Sequence, residues 1–137
     1  MRVLIDTNVI LDVCFERTDF QADAGHIFSL IEQKKIRGCV SATAITDIYY
    51  MARRQFHDKE KTLWTVNRIS KLFKILKTDE RTIRTAVALH WNDFEDSVQY
   101  AAAKQGRIQA IITRNKKDYA QSAIPAYTPA EFLQLAQ

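Results

Sequence analysis

Short apolar runs alternate with longer amphipathic stretches along the chain, and this alternation predicts strands and helices in turn. The first apolar run, Arg2 to Ile5, is followed directly by Asp6, Thr7 and Asn8. Short runs that are apolar throughout are typical of strands buried on both faces. Further strands are predicted at residues 38–40, 73–76, 109–112 and 125–127.

Helices are predicted between these strands, because apolar residues there recur at three- and four-residue intervals. They are expected at residues 8–15, 20–34, 41–56, 59–73, from 79 onward, from 92 or 93 to 106, and from 128 onward. The inward faces are expected to carry Ile45, Tyr49, Ala52 and Phe56 in the third helix, Leu63, Val66, Ile69 and Phe73 in the fourth, and Phe94, Val98, Ala101 and Ala102 in the sixth. The opposite face of the third helix carries Thr43, Asp47, Tyr50 and Arg54.

Strands that alternate with helices indicate an α/β fold in which a mostly parallel sheet carries helices on both faces. Loops that follow parallel strands open at the carboxyl edge of the sheet, where α/β proteins hold their ligands. Asp6, the segment from Ser41 to Asp47, and residues 113–115 would meet at this edge. With 137 residues, of which 47% are hydrophobic and 26% charged, a single domain over residues 1–137 is expected.

The charge of the chain, its apolar stretches and its cysteines indicate the kind of partner, the location and the state of the thiols to expect. The net charge of +4 and the pI of about 9.1 favour a polyanionic partner such as nucleic acid. The chain starts without a leader-like sequence and has no stretch long enough to span a bilayer, so a cytoplasmic protein without membrane contact is expected. Cys14 and Cys39 lie in apolar surroundings without metal or disulfide spacing, which predicts buried, reduced thiols.

Several isolated acids stand at the starts of elements in this basic chain. Such a pattern is expected of a site in which carboxylates surround a cation while basic residues at the rim of the site attract phosphates. Structural roles compete with this interpretation: Asp6 could cap the first helix, and Asp47 could be a solvated side chain. Asp96, together with Asp93, could form a helix cap, and Glu95 is expected to face solvent. For Asp6 a functional role is favoured, because a carboxylate directly after a buried strand is delivered to the crevice.

Four short motifs together resemble the PIN domain, and within it the small nucleases like the VapC toxins of toxin–antitoxin pairs. In order they are Ile5-Asp6-Thr7-Asn8, Ser41 followed by an acid in the next helix, Asp96 heading an Ala-rich helix, and Thr113-Arg114-Asn115 with Asp118-Tyr119 beyond. The resemblance covers essentially the whole chain. It implies a three-layer α/β/α fold, a Mg²⁺- or Mn²⁺-dependent endoribonuclease acting on RNA, a homodimer, and a cognate antitoxin protein.

The resemblance also implies which residues bind metal. Asp6 matches the first invariant acid of the family and Asp96 the third. Asp47 stands where the family more often has Glu, and Asn115 falls at a fourth position where many members carry Asp. Asp118 lies nearby as a substitute for that fourth acid. The expected metal ligands are therefore Asp6, Asp47, Asp96 and Asp118, with Asn115 assisting catalysis.

Substrate contacts are expected on both sides of these acids. Thr7 and Asn8 are expected to orient the first carboxylate or a water on the metal while they cap the first helix. Arg114, Lys116 and Lys117 follow the fourth strand and are the first choice for contacts with phosphate groups. Surface solubility is the alternative interpretation of these three basic residues.

Two other function classes compete with a ribonuclease. One is a catalytically silent PIN-like module that binds RNA or protein, which the departures at Asp47 and Asn115 favour. The other is a phosphotransfer enzyme with Asp6 as the nucleophile. The DxD pattern of haloacid-dehalogenase-like enzymes argues against it, because the third residue of that pattern is Asn8 here. If the partner is RNA, Tyr49 and Tyr50 are candidates to stack on bases, although Tyr49 lies on the apolar stripe of the third helix, where a core role is favoured.

Overall fold

A five-stranded parallel sheet forms the centre of the computed structural model, which describes residues 1–136. The strands are β1 (Arg2–Ile5), β2 (Arg37–Ser41), β3 (Lys74–Leu76), β4 (Ala110–Ile112) and β5 (Ala126–Tyr127). Their order is β3-β2-β1-β4-β5, and every neighbouring pair is parallel. β1 therefore lies in the middle, with Val3 opposite Gly38 on one side and Ala110 on the other. The predicted parallel sheet is confirmed.

Seven α-helices and one 3₁₀ turn connect the strands within residues 1–136. They are α1 (Thr7–Cys14), α2 (Gln21–Glu32), α3 (Ala42–Phe56), α4 (Lys59–Leu72), α5 (Glu80–Leu89), α6 (Phe94–Gln105) and α7 (Pro129–Leu135), and the 3₁₀ turn covers Lys116–Tyr119. Side-chain caps explain where several begin. Ser41 Oγ accepts a hydrogen bond from the N–H of Ala44 at 3.1 Å, and Thr128 forms a reciprocal capping box with Glu131.

Helices cover both faces of the sheet, which gives the predicted three-layer α/β/α architecture. Because successive strand residues point to opposite faces, Val3 and Ile5 enter one hydrophobic core and Leu4 enters the other. The first core is closed by α1, α2, α3, α4 and α7. The second is closed mainly by α6, against which α5 packs.

The predicted inward faces of three helices are wrong in detail. Phe94, at the first position of α6, is 50% exposed, and Leu63 in α4 is 44% exposed. α4 instead buries Thr62 and Thr65, whose hydroxyl groups donate to backbone carbonyl oxygens one turn earlier at 2.8 and 2.9 Å. Because these bonds satisfy the hydroxyl groups, the threonines can enter the core. In α3 the fully buried positions are Ala44, Ile48 and Ala52.

Both cysteines are unpaired, as predicted; Cys39 is buried and Cys14 is partly buried. Burial raises the pKa of the Cys14 thiol to about 11, so this thiol stays protonated near neutral pH. Within the described part of the chain, no helix is both long and apolar enough to cross a bilayer.

A buried carboxylate that the sequence pattern did not reveal ties α1 to the loop after β4. Asp12 is fully buried, and its oxygens lie 3.2 Å from Nη1 of Arg17 and 2.9 Å from Nε of Arg114. The second contact is close but is not aligned as a hydrogen bond. The Arg114 guanidinium also lies over the ring of Phe20, 3.9 Å from its centroid. The partly exposed guanidinium groups of Arg17 and Arg114 thus compensate the buried charge of Asp12 and hold the loop after β4 in place.

Asp12→Ala should lower the free energy of unfolding by about 2–4 kcal/mol, because two guanidinium groups lose the anion that they share. Asp12→Asn should have a similar effect, since the amide keeps the volume but not the charge. Urea unfolding followed by circular dichroism measures both. The matched control is Glu80→Ala, which removes an exposed pair with Arg84 and should change stability little. A loss for Asp12→Ala no larger than that of this control would show that the buried pairs do not stabilise the fold.

Candidate active site

Asp6 is fixed at the carboxyl end of the central strand by contacts from three elements. Its N–H donates to the carbonyl oxygen of Ile112 in β4 at 2.9 Å. Its Oδ1 accepts from the N–H of Thr7 at 2.8 Å and so caps α1, a role that was expected for one of the next two residues. Gln99 Nε2 lies 3.3 Å from Oδ1, and Thr113 Oγ1 donates to Oδ2 at 2.8 Å. Asp6 is therefore a helix cap and also a carboxylate held in one orientation.

The positive charge of Arg114 has only a small effect on Asp6. Burial raises the pKa of Asp6, and this effect exceeds the lowering by hydrogen bonds from Thr113 and Thr7. Those hydrogen-bond donors are neutral groups. A carboxylate in such surroundings is stabilised by a cation from solution or by a proton.

A cavity of about 730 Å³, here called the acidic cavity, opens beside Asp6 between α3 and the start of α6. It brings together four of the predicted acids from separate segments of the chain, and Thr7 and Asn8 line it as well. These acids are Asp6, Asp47, Asp96 and Asp118. One wall is the face of α3 predicted to lie opposite its apolar stripe, namely Thr43, Asp47, Tyr50 and Arg54.

Asp96 occupies the first turn of α6, where its N–H donates to the capping carboxylate of Asp93 at 3.1 Å. Because Asp93 is the cap, the carboxylate of Asp96 is free of that structural role. Burial and, after it, the negative charge of Asp93 raise the pKa of Asp96 to about 7, and the charges of Asp118 and Asp6 add to the rise. A carboxyl group that titrates near neutral pH reflects the crowding of acids around it.

Glu95 is a further acid of the cavity, although the sequence pattern indicated a solvent-facing residue. Its side chain is exposed, but it lies against Asp47 and lines the acidic cavity. A hydrogen bond with the Asp47 carboxyl group is the main cause that raises the pKa of Glu95. Two carboxylates in contact are most stable when they share a proton or a cation. Its position in the first turn of α6, next to Asp96, was the only signal available in the sequence.

Gln99 and Thr113 orient Asp6 from different elements. Gln99 lies one turn after Asp96 in α6 and is almost fully buried, and its Oε1 has no hydrogen-bond partner among the described residues. Thr113 is fully buried at the end of β4, and its Oγ1 also accepts from the N–H of Asn115 at 3.1 Å. Gln99 was missed in the sequence, although it is the only amide within the small and apolar stretch at residues 97–103.

Of the two residues predicted for the fourth acid position, Asp118 lies at the acidic cavity and Asn115 does not. Asn115 is exposed, precedes the 3₁₀ turn, and does not line the acidic cavity. Asp118 lies within that turn and lines the cavity. The negative charge of Asp118 raises the pKa of both Asp6 and Asp96, so it lies within electrostatic reach of both.

The three basic residues predicted to bind phosphate have different surroundings. Arg114 is held by Asp12, and Lys116 forms an exposed pair with Glu131 at 3.0 Å. Lys117 lines a second, polar cavity of about 330 Å³ that shares two acids of its wall with the acidic cavity. Lys117 is therefore the one best placed for a phosphate near the carboxylates.

The chemistry of the acidic cavity suits a divalent cation bound together with water. Within residues 1–136, no group of three or more His, Cys, Asp or Glu side chains is arranged so that it could hold a metal ion without other ligands. The candidate ligands are nevertheless all carboxylates, and Mg²⁺ is usually held by one or two carboxylates and keeps several waters. The raised pKa values of Asp6 and Asp96 agree with this, because a cation would offset the burial that mainly raises them and the repulsion between the acids that adds to the rise.

Comparison with known proteins identifies the family of the chain. A sequence model of the PIN domain matches residues 2–117. The chain belongs to the PIN domain family. This PIN domain is 26% identical to Ribonuclease VapC1 of Aquifex aeolicus over 136 residues, which cover 96% of this chain and 92% of that protein.

Solved structures share the fold of this PIN domain. DNA-bound VapBC from Salmonella typhimurium superposes with a TM-score of 0.73 at 14% identity, covering 94% of this chain and 98% of that one. A toxin–antitoxin complex from Klebsiella pneumoniae gives a TM-score of 0.67 at 23% identity, covering 93% and 97%. At these identities the likeness concerns the fold, and it supports the three-layer architecture.

Asp96→Asn should stabilise the metal-free PIN domain in a pH-dependent way. The pKa of this carboxyl group rises from 3.8 to about 7 in the folded protein, so charging it opposes folding. The gain in free energy of unfolding should be small below about pH 4, grow up to about pH 7, and stay constant above it. Thermal unfolding in EDTA across this range measures the gain.

Asp79→Asn is the matched control for that measurement. Hydrogen bonds at the start of α5 lower the pKa of the Asp79 carboxyl group, so its removal should give no gain at any pH. Identical pH profiles for the wild type and Asp96→Asn would contradict the crowding of acids in the cavity.

Proposed function

We propose that this PIN domain is a metal-dependent endoribonuclease that hydrolyses RNA phosphodiester bonds, and that it is the toxin of a toxin–antitoxin pair. The observation that carries the proposal is the meeting of Asp6, Asp96 and Asp118 at one cavity on the carboxyl edge of the sheet. Burial, together with the negative charge of neighbouring acids, raises the pKa of Asp96 to about 7, and a bound cation would relieve both effects. Identity of 26% to a protein named as a ribonuclease supports the reaction class.

The chain's own residues would divide the chemistry as follows. Asp6 and Asp96 hold Mg²⁺ or Mn²⁺, which when bound polarises the scissile phosphate and lowers the pKa of the attacking water. Thr113 and Gln99 keep the Asp6 carboxylate in one orientation and leave its remaining lone pairs for the ion. No His or Lys lines the acidic cavity in residues 1–136, so carboxylates are the proton acceptors that it offers.

Asp47 and Asp118 complete the acidic set. Asp47 is one methylene shorter than the Glu more common at its position, and we expect it to reach the ion through water. Glu95 places a further carboxyl group against Asp47 and adds to the negative charge of that wall. This extra charge offsets the loss of an acid at Asn115.

RNA, an antitoxin and a second copy of the chain are the proposed partners. The net charge of +4 and the position of Lys117 beside the acids favour an RNA strand. The Klebsiella pneumoniae structure is a toxin–antitoxin complex, and we extend this to a cognate antitoxin that occludes the acidic cavity. A homodimer is proposed from the family resemblance.

The purified protein should cleave single-stranded RNA only when Mg²⁺ or Mn²⁺ is present. Asp6→Asn and Asp96→Asn should each slow cleavage by roughly a hundredfold or more, because each removes a carboxylate from the ion. Gel electrophoresis of labelled RNA, with EDTA and with added metal, measures the rates. Asp19→Asn, in the exposed loop between α1 and α2, is the control and should keep full activity. Circular dichroism must show that each variant is folded.

A catalytically silent module that binds RNA or protein is the second candidate. The exposed Asn115, which stands where many members of the family carry an acid, and Asp47, whose side chain is shorter than the more common Glu, favour it. RNA binding measured by fluorescence anisotropy would separate the two functions. Binding that is indifferent to metal and to Asp6→Asn, without any cleavage, would support the silent module and exclude the nuclease.

Changes at Asp47 should report its distance from the ion. Asp47→Ala should weaken Mn²⁺ binding by roughly tenfold or more, as expected for a group that acts through water. Asp47→Glu should bind Mn²⁺ at least as tightly as the wild type, because the longer side chain can reach the ion directly. Isothermal titration calorimetry measures both affinities. An unchanged affinity in Asp47→Ala would remove Asp47 from the proposed site.

A further inference from the structure

Two exposed aromatic side chains line the acidic cavity and have no part in metal binding. Phe94 is 50% exposed and Tyr50 is 62% exposed, and both line the cavity together with Asp6 and Asp96. Phe94 was expected to face the core, yet it projects beside the acids of the first turn of α6. Tyr50 packs at a right angle to Tyr49, with ring centroids 5.2 Å apart, yet Tyr50 and Phe94 both leave much of their rings in water beside the charged cavity, which points to a ligand.

We propose that Phe94 and Tyr50 are stacking positions for the bases of unpaired RNA nucleotides on either side of the scissile phosphate. This subsite rests on the ribonuclease function proposed above. An aromatic face stacks on any base, whereas a base in a duplex is already stacked on its neighbours. The substrate is therefore a single strand or a loop, and these two positions contribute affinity with little sequence preference.

Arg54 supplies positive charge for the same strand. It lies four residues after Tyr50 on the same face of α3, and it lines the acidic cavity. Within the described chain, no ion pair engages Arg54, whereas Arg114 and Lys116 are both paired. Its guanidinium is thus available for the phosphate next to the base stacked on Tyr50.

A second copy of the chain is the competing occupant of this surface. Ile83 also lines the cavity at 39% exposure, and Val87, one turn further along α5, is 57% exposed. The cavity, however, carries five carboxylates against the single cation of Arg54. Pairing this surface with its own copy would bring two such acidic sets together, which is unfavourable. Nucleotides accompanied by divalent cations satisfy the same charges.

The test is steady-state cleavage of single-stranded RNA by Phe94→Leu and Tyr50→Leu. Each variant should raise KM by roughly five- to a hundredfold, the range for loss of one base–aromatic stack, with kcat nearly unchanged. Phe94→Trp keeps an aromatic face and should restore the wild-type KM. Trp64→Leu is the matched control, because Trp64 is 61% exposed on α4 but lines a different cavity. Its KM should equal that of the wild type.

An abasic substrate makes the test specific for stacking. Once the cleaved bond is mapped, RNA that lacks the base on one side of this bond serves as the substrate. On this RNA, the variant that has lost the ring contacting that base should have the same KM as the wild type. Equal effects of both variants on the intact and the abasic RNA would overturn the proposal. A dimer that dissociates in Phe94→Leu, seen by sedimentation velocity, would also overturn it in favour of a second copy.

Failure of the ribonuclease function is separable from failure of the stacking positions. If the wild type does not cleave RNA with either metal, the proposed function is wrong. RNA binding then tests the stacking positions on their own. Fluorescein-labelled oligouridylate should bind Phe94→Leu and Tyr50→Leu roughly five- to a hundredfold more weakly than the wild type. An unchanged dissociation constant in both variants would overturn the stacking positions.

Discussion

The site depends on the pairing of β1 with a parallel strand on each side. Because β2 and β4 are both hydrogen-bonded to β1, the carboxyl end of β1 cannot shift without breaking backbone hydrogen bonds on both sides. The N–H of Asp6 extends the pairing with β4 by one more bond, and α1 begins at the next residue. The carboxylate is thus placed by the most constrained segment of the fold, which is the kind of support that a precise ion site requires.

The other acids reach the same place by weaker constraints. Asp47 comes from a helix surface, Asp96 from the first turn of α6, and Asp118 from a 3₁₀ turn. Bringing like charges together opposes folding, as the raised pKa of Asp96 shows. The two hydrophobic cores, which bury Val3, Leu4 and Ile5 completely, offset this. The result is a stable scaffold that carries an edge where clustered acids oppose folding.

The sequence predicted the sheet well because its strands are apolar throughout and end abruptly, so the position of Asp6 followed directly. It predicted the buried face of α4 less well, because threonines whose hydroxyl groups bond to the backbone can replace larger apolar residues in a core. The contact of Gln99 with Asp6 joins residues far apart in the chain, so only the folded structure brings them together. The choice of Asp118 over Asn115 depends on one 3₁₀ turn, which no periodicity reveals.

The contrast between Asp6 and Asp12 separates a functional acid from a structural one. Both lie at or in α1, but Asp12 is fully buried and meets two guanidinium groups, whereas Asp6 is partly buried and its hydrogen-bond donors are neutral. The protein therefore compensates the charge of Asp12 with its own cations. Asp6 forms no ion pair among the described residues, and burial raises the pKa of its carboxyl group by more than its hydrogen bonds and the charge of Arg114 lower it. This difference is the physical reason why we propose a cation-binding role for Asp6 and not for Asp12.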